Sequence, residues 1–238
     1  MTSRKICILL TGTIYPDQVF SLGRTDPIQR EADYYHALTQ WLKKGFPVIF
    51  CENSNYKSAR IDQMQADHAG FEFLQYKETT DLSKKGKGLG EFSIMAYAHA
   101  NSQIIKESDY VIKITGRLFV RNFEKIMRKL SAMEPDVVAP LELKLKWADS
   151  RMFIYKKFFF EDYFSKYGNQ IDDSTRFVFE RALACSIHAA LADNKKWEPL
   201  PCYPVYEGYS GTFNLKYSRL SIESIGKSIK FFLYRKLI

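Results

Sequence analysis

Residues 108–120 read SDYVIKITGRLFV. A short apolar run, Tyr110 to Ile114, is interrupted only by Lys113 and stops in a polar turn, Thr115-Gly116-Arg117. Such a run, bounded by turn residues, reads as a buried strand. A lysine inside it needs a partner, because an unpaired buried charge is costly. Gly116 permits an unusual torsion or a close approach, and Arg117 presents a rigid fork of donors suited to phosphate. Structural salt bridges account for Lys113 and Arg117 equally well.

The same kind of element recurs outward from this strand. Upstream lie residues 5–11 (KICILLT), 46–51 (FPVIFC) and the shorter 71–76 (FEFLQY); downstream, residues 135–140 (PDVVAP) contain another. Between them come helical patterns. Residues 29–44 carry Ala32, Tyr35, Leu38 and Leu42 at helical spacing and end at Gly45. Helices are expected over residues 91–106 and 122–130 as well. Strand and helix therefore alternate through residues 1–140, which predicts an α/β layer with a mostly parallel sheet. Ligands of such sheets bind beyond the carboxyl ends of the strands. That singles out Thr11, Gly12 and Thr13, then Glu52 and Asn53, then Thr115, Gly116 and Arg117.

The second half has a different texture. Residues 151–164 are strongly aromatic, and residues 172–191 read as one helix with Asp172 and Asp173 as cap and dipole partners at its start. Residues 200–206 are extended, and Glu207-Gly208-Tyr209-Ser210-Gly211-Thr212 reads as a glycine loop. In residues 219–238, Ile222, Ile225, Ile229, Phe232 and Leu233 recur at helical spacing among Lys227, Lys230, Arg235 and Lys236. A basic amphipathic helix of this kind lies on an anionic membrane surface; a terminal helix docked on the core is the alternative.

A chain of 238 residues suits one substantial domain or one with a small appendage. Its 46% hydrophobic and 15% aromatic content excludes a disordered polymer. No run reaches the ~18 apolar residues of a membrane span. The N-terminus reads as a first core strand rather than a signal peptide, since its apolar run is only Ile6 to Leu10. Cys7, Cys51, Cys185 and Cys202 show no metal-ligand spacing and read as reduced thiols of a cytoplasmic protein. The net charge of +8 points to nucleic acid, an anionic membrane or a phosphorylated small molecule.

Two further patterns favour a phosphate. Residues 84–91 (KKGKGLGE) place lysines and small residues at a helix start, with Lys87, Gly88 and Glu91 as candidates. This is neither a Walker A loop nor a dinucleotide fingerprint. Arg30 and Tyr34 share a helix face at i, i+4. Proton transfer from a hydroxyl needs a carboxylate within hydrogen-bond reach, and Asp149, Asp172, Asp173, Glu180 and Glu207 are the candidates. The four histidines, His36, His68, His99 and His188, make no triad or metal pattern.

Taken in order, six segments resemble a group of bacterial glycosyltransferases encoded with capsule and lipopolysaccharide genes. They are ICILLTGTI (6–14), Arg30 with Tyr34, VIFCENS (48–54), KGLGE (87–91), KITGR (113–117) and EGYSGT (207–212). The resemblance implies a GT-A-like catalytic domain over residues 1–218. Residues 1–140 would form a Rossmann-type nucleotide-binding half and 141–218 an acceptor half, followed by the basic amphipathic helix 219–238. It implies donor binding by Thr11, Gly12, Thr13, Arg30, Tyr34, Glu52, Asn53, Lys87, Gly88, Glu91, Lys113, Thr115, Gly116 and Arg117. Tyr209 and Ser210 would meet the acceptor, and Asp172, Asp173, Glu180 or Glu207 would supply the catalytic carboxylate.

In GT-A enzymes the strand equivalent to residues 110–114 leads into an Asp-x-Asp motif that holds a divalent cation against the donor diphosphate. Thr115-Gly116-Arg117 departs from that pattern. Arg117, Lys113 and Lys87 are then expected to stabilise the leaving diphosphate. No metal site is assigned, and Mn2+ or Mg2+ stays open as a cofactor. The implied reaction moves a sugar from a nucleotide-sugar donor, UDP-sugar favoured, to a hydroxyl of a growing surface glycan (capsule, O-antigen or lipopolysaccharide). The acceptor would be lipid-linked, the enzyme peripheral on the inner face of the bacterial inner membrane, and nucleic acid no partner. Two other readings stand beside it: a basic nucleic-acid-binding or RNA-modifying protein, and a sugar-phosphate nucleotidyltransferase.

Overall fold

The computed structural model describes residues 4–16, 22–131, 133–142 and 144–217. The basic segment expected as a helix over 219–238 lies outside the described residues.

The first half runs β1 (Ile6–Gly12), α1 (Pro27–Leu42), β2 (Val48–Glu52), α2 (Ala59–Asp67), β3 (Phe71–Gln75), α3 (Leu82–Lys85), α4 (Lys87–Asn101), α5 (Gln103–Glu107), β4 (Tyr110–Thr115), β5 (Leu118–Val120) and α6 (Phe123–Leu130). The second half runs β6 (Val137–Val138), β7 (Leu141–Glu142), β8 (Trp147–Ala148), β9 (Met152–Lys156), a π-turn (Phe159–Phe164), α7 (Ser165–Gly168), a 3-10 turn (Asp173–Thr175), α8 (Phe179–Ala192), β10 (Trp197–Glu198), β11 (Tyr206–Tyr209) and β12 (Lys216–Tyr217).

Seven strands form the central sheet in the order β10-β6-β9-β4-β1-β2-β3. β1 pairs in parallel with both β2 and β4, and β2 with β3. β9 is inserted antiparallel between β4 and β6. The sheet is therefore mostly parallel, as the alternating pattern predicts, with one reversed strand where the second half joins the first. A smaller antiparallel sheet, β12-β11-β5, lies beside it.

Successive side chains of a strand point to opposite faces, and the core divides accordingly. Ile8, Leu10, Phe50, Ile112 and Ile114 pack with α1, β5 and α6. Cys7, Leu9, Ile49, Cys51, Val111 and Phe153 pack on the other face with α4, α8 and the π-turn. Helix α1 shows why the sequence folds this way. Asp26 caps it by accepting from the Ile28 amide (3.0 Å), and Pro27 opens its first turn. Its buried stripe of Arg30, Tyr34, Ala37, Leu38 and Trp41 follows helical spacing. Trp41 is fully buried, donates from Nε1 to the Leu118 carbonyl (2.9 Å) and meets Phe123 edge-on. Burying a side chain of this kind contributes about 2–3 kcal/mol.

Several expected elements have different bounds. The helix expected over 91–106 starts earlier, at Lys87, so the expected loop before it is already helical. It breaks at Ser102, whose hydroxyl accepts from the Ile105 amide (3.0 Å) and starts α5. The helix expected over 172–191 begins only at Phe179. Asp172 instead accepts from the Ser174 amide (2.9 Å), and Arg176 takes the left-handed conformation (φ 63°). Asp, Ser and Thr side chains compete locally with helical hydrogen bonding, and here they win. The expected 207–212 loop starts as strand β11, and the aromatic 151–164 stretch divides into β9 and the π-turn. Cys7 and Cys51 are buried free thiols; burial pushes the Cys7 thiol up to about 11.

Candidate functional site

Parallel pairing places Thr11 opposite Cys51 and Thr115, and Gly12 opposite Glu52. The carboxyl ends of β1, β2 and β4 therefore stop at one edge of the sheet. A cavity of about 330 Å3 opens there. Its wall takes Thr11, Gly12 and Thr13 from β1 and the loop after it, Asn53 from the end of β2, and Thr115 and Arg117 from the end of β4. Arg30 and Tyr34 of α1 and Lys87, Gly88 and Glu91 of α4 complete the side of the first half. Trp147, Val178, Phe179 and Glu180 come from the second half. Twelve sequence candidates thus meet around one space.

The strand-end loops are tied together by Glu52. It is fully buried, and its carboxylate accepts from the amides of Ile14 (2.8 Å), Ser54 (2.9 Å) and Tyr56 (3.2 Å), and from the Ser54 hydroxyl. Its carboxylate thus ties the loop after β1 to the loop after β2. Asn53 is reached by the Thr13 hydroxyl (2.6 Å). Gly116 donates its amide to the Thr11 carbonyl (2.9 Å), and a Cβ at Gly116 would stand 2.7 Å from that same oxygen. Gly116→Ala is therefore expected to force the β1 and β4 ends apart and destabilise the protein by about 1–3 kcal/mol. A urea titration checks this; an unchanged midpoint would mean that the turn yields without cost.

Two guanidinium groups flank the Tyr34 hydroxyl. Arg30 is buried, donates to the carbonyls of Thr13 (2.8 Å from Nε) and Arg24 (2.9 Å), and reaches the Tyr34 oxygen (3.3 Å). Burial, with Arg117 nearby, lowers its pKa. Arg117 is half-buried; it donates from Nε to the Tyr209 carbonyl (3.0 Å) and from Nη1 to the Tyr34 oxygen (3.4 Å). Its Nη2 lies against Gly211, where a Cβ would collide with it. Both guanidinium groups line the cavity, Arg30 with its donors on the Thr13 and Arg24 carbonyls and Arg117 with one on the Tyr209 carbonyl.

Lys113 has a different place from the one expected of a diphosphate ligand. Strand parity turns it to the α4 and α8 face, where it is fully buried and forms no part of the cavity wall. Its ammonium donates to Glu91 and to the Ser150 carbonyl (2.6 Å). The Thr11 hydroxyl also donates to Glu91 (3.1 Å), and the Ser150 hydroxyl donates to Glu180 (2.8 Å). Burial raises the Glu180 pKa, and the Ser150 hydrogen bond opposes that rise.

The remaining candidates spread out. Asp173 stands at the start of α4: its Oδ2 accepts from the Gly88 amide (3.4 Å), and burial raises its pKa. This chain's own carboxylate thus occupies the helix end that the sequence offers to a phosphate. Asp172 is a local turn cap, held low by its hydrogen bonds from Ser174. Glu207 pairs with His36 (3.4 Å) and Arg121 (3.3 Å) outside the cavity wall. Tyr209 lies under the Arg24 guanidinium (4.2 Å), and the Ser210 amide donates to the Leu215 carbonyl (2.8 Å). Lys87 donates to the Thr212 hydroxyl (3.0 Å), which brings the 210–213 turn to the cavity rim.

Sequence reasoning passed over Ser150 and Trp147. A lone serine in a loop carries no signal. A tryptophan closing the alternating run LELKLKW (141–147) is a detectable one, since period-two alternation reads as a half-buried strand with one face to fill.

The side chains at this edge do not make a divalent cation site. Glu91 is engaged by Lys113 and Thr11, Glu180 by Ser150, and the β4 end carries a guanidinium. Among the described residues no three His, Cys, Asp or Glu side chains converge to hold a metal. No helix among them is long and apolar enough to cross a membrane.

No family model and no curated protein matches the chain. Solved structures do. The glycosyltransferase GlyE of Streptococcus pneumoniae TIGR4 aligns with a TM-score of 0.50 at 10% identity, over 84% of this chain and 46% of that one, so the chain spans less than half of that protein. A Desulfovibrio desulfuricans G20 protein assigned as a nucleotide-diphospho-sugar transferase aligns at 0.49 and 12% identity, over 98% and 99%. The inositol-1-phosphate CTP transferase of T. maritima aligns at 0.49 and 10% identity, over 96% of each. At these identities the likeness is one of fold: mixed α/β with a mostly parallel central sheet, of the GT-A-like kind.

Proposed function

We propose that the chain is a glycosyltransferase that takes a sugar from a nucleotide-sugar donor, with a UDP-sugar favoured, and passes it to a glycan hydroxyl. The observation that carries this reading is the cavity at the carboxyl ends of β1, β2 and β4. Its wall brings together the cation of Arg117, the lysine-bearing start of α4 and the carboxyl group of Glu180. A diphosphate gains from fixed cations as its leaving charge grows. An acceptor hydroxyl gains from a carboxylate that takes its proton.

In this reading Arg117 and Lys87 hold the diphosphate, where a metal ion bound by carboxylates would otherwise supply that charge. Thr11, Thr13 and Asn53 line the nucleotide end, and Trp147 offers a flat apolar face to a sugar. Glu180 is the catalytic carboxylate, since Asp172, Asp173 and Glu207 have other partners and do not line the cavity. Residues 1–140 would serve the donor and 141–218 the acceptor, with Tyr209 and Ser210 at the rim. A lipid-linked surface glycan as acceptor, and attachment of the basic 219–238 segment to the inner face of the bacterial inner membrane, belong to the same proposal. They are supported by the sequence pattern of that segment.

A thermal-shift series with UDP, GDP, CMP, dTDP and ADP, each with EDTA or with Mn2+, tests it. A ligand at 100 times its dissociation constant stabilises by about 2.7 kcal/mol, which is roughly 5–10 °C for a domain of this size. UDP is expected to give such a shift, and the shift should survive EDTA. Dependence on Mn2+ would return the diphosphate to a metal and remove that role from Arg117. No shift with any nucleotide would overturn the proposal. Release of pyrophosphate on turnover would make the protein a nucleotidyltransferase instead.

A further inference from the structure

Lys113 lies under the cavity and touches both of its carboxyl groups, one directly and one through a single residue. Glu91 of α4 receives the ammonium itself. Ser150, in the turn before β9, faces two ways: its carbonyl accepts from Lys113 (2.6 Å) and its hydroxyl donates to Glu180 Oε1 (2.8 Å). The rings of Phe153 on β9 and Phe179 on α8 close over the ammonium at 5.7 and 5.3 Å. Residues from β4, α4, β9 and α8 thus meet at one cation, at the place where the reversed strand β9 joins the parallel part of the sheet.

The two carboxyl groups are treated differently by this arrangement. Glu91 pairs with the ammonium and also accepts from the Thr11 hydroxyl (3.1 Å). Glu180 accepts from the Ser150 hydroxyl and lines the cavity. The charged groups around it are Glu91 and Lys113 below, and Lys87, Arg30 and Arg117 in the cavity wall. Paired carboxyl groups in unlike environments divide into one that stays ionised and one that exchanges a proton.

We propose that Lys113 is a positioning residue: through Ser150 it fixes Glu180 as the proton-transferring carboxyl group, and by pairing with Glu91 it holds that second side chain away from this role. The inference rests on the transferase reading of the cavity. In the step it serves, the acceptor oxygen bonds to the anomeric carbon while the bond from that carbon to the diphosphate oxygen breaks. The electron pair leaves with the diphosphate, and the acceptor proton goes to Glu180.

Carbon NMR of the full chain, labelled at glutamate side-chain carboxyls, measures the link without depending on turnover. Glu180 is assigned by the signal lost in Glu180→Gln. A hydrogen bond to a carboxylate and a nearby cation both favour its charged form. The Glu180 titration midpoint is therefore expected to rise in Ser150→Ala, which keeps the carbonyl and removes the hydroxyl, and to rise in Lys113→Met. The acid limb of the pH–rate profile should move the same way in Ser150→Ala, with nucleotide affinity by calorimetry unchanged. A midpoint and acid limb left in place by Ser150→Ala would overturn the proposal even if Lys113→Met does not fold. A moved midpoint in a protein that binds no nucleotide would sink the transferase reading and leave the Lys113–Ser150–Glu180 linkage standing.

Discussion

Glu180→Gln is expected to lower turnover roughly 10²- to 10⁴-fold while leaving nucleotide binding intact, the range general-base catalysis supplies. Glutamine keeps the oxygen that receives the Ser150 hydroxyl and loses only the capacity to take a proton, so the fold should be unaffected. The pH dependence adds a second reading of the same group. Burial raises the Glu180 pKa, and a base works only when ionised. Activity should therefore climb with pH along an acid limb lying above the ordinary carboxylate range, and the limb should vanish in the variant. Turnover within threefold of wild type, with the limb preserved, would move the proton to another acceptor.

The largest effect on stability is expected from Glu91→Leu. Lys113 is wholly excluded from water, and Glu91 is its one charged partner among the described residues. Glu91 is partly exposed, but removing it leaves the fully buried ammonium uncompensated, at a cost of up to about 3–5 kcal/mol. The Ser150 carbonyl and the two phenylalanine rings remain but do not neutralise it. The double change Glu91→Leu with Lys113→Met should recover much of the loss, because both charges then disappear together. Urea unfolding of the two single variants and the double closes the cycle. A single Glu91→Leu change costing under about 1 kcal/mol would show that water or a shifted Lys113 relieves the charge.

The strand pattern and the strand ends were legible in the sequence because they are local. Apolar runs such as ICILL and VIFCE mark buried strands, and parallel pairing then brings their last residues to one edge. That is why Thr11, Thr13, Asn53, Thr115 and Arg117 could be listed without coordinates. Lys113 showed that it needed a partner, but the partner's identity depends on which helix covers its face. Neither Glu91 nor Ser150 is near it in sequence. Choosing Glu180 over Asp172, Asp173 and Glu207 depended on where α8 begins. Capping at Asp172 and the left-handed Arg176 displaced that start from residue 172 to Phe179, and no hydrophobic period signals such a displacement. For Glu52 the strand end was legible but its partners were not: the amides of Ile14 and Ser54 that its carboxylate accepts from are known only once the loops are placed.

The reversed strand β9 has a consequence for how the chain is made. Strands β1 to β4, four of the seven strands of the central sheet, all precede β9 in the chain, and the partner for the outer edge of β4 is synthesised some tens of residues later. In the interval β4 offers unpaired backbone along an apolar ribbon, a template for pairing with another nascent chain. A charge in mid-strand is one way to discourage that pairing. Lys113, the residue that later sits beneath two carboxyl groups, would in this interval also guard the open edge.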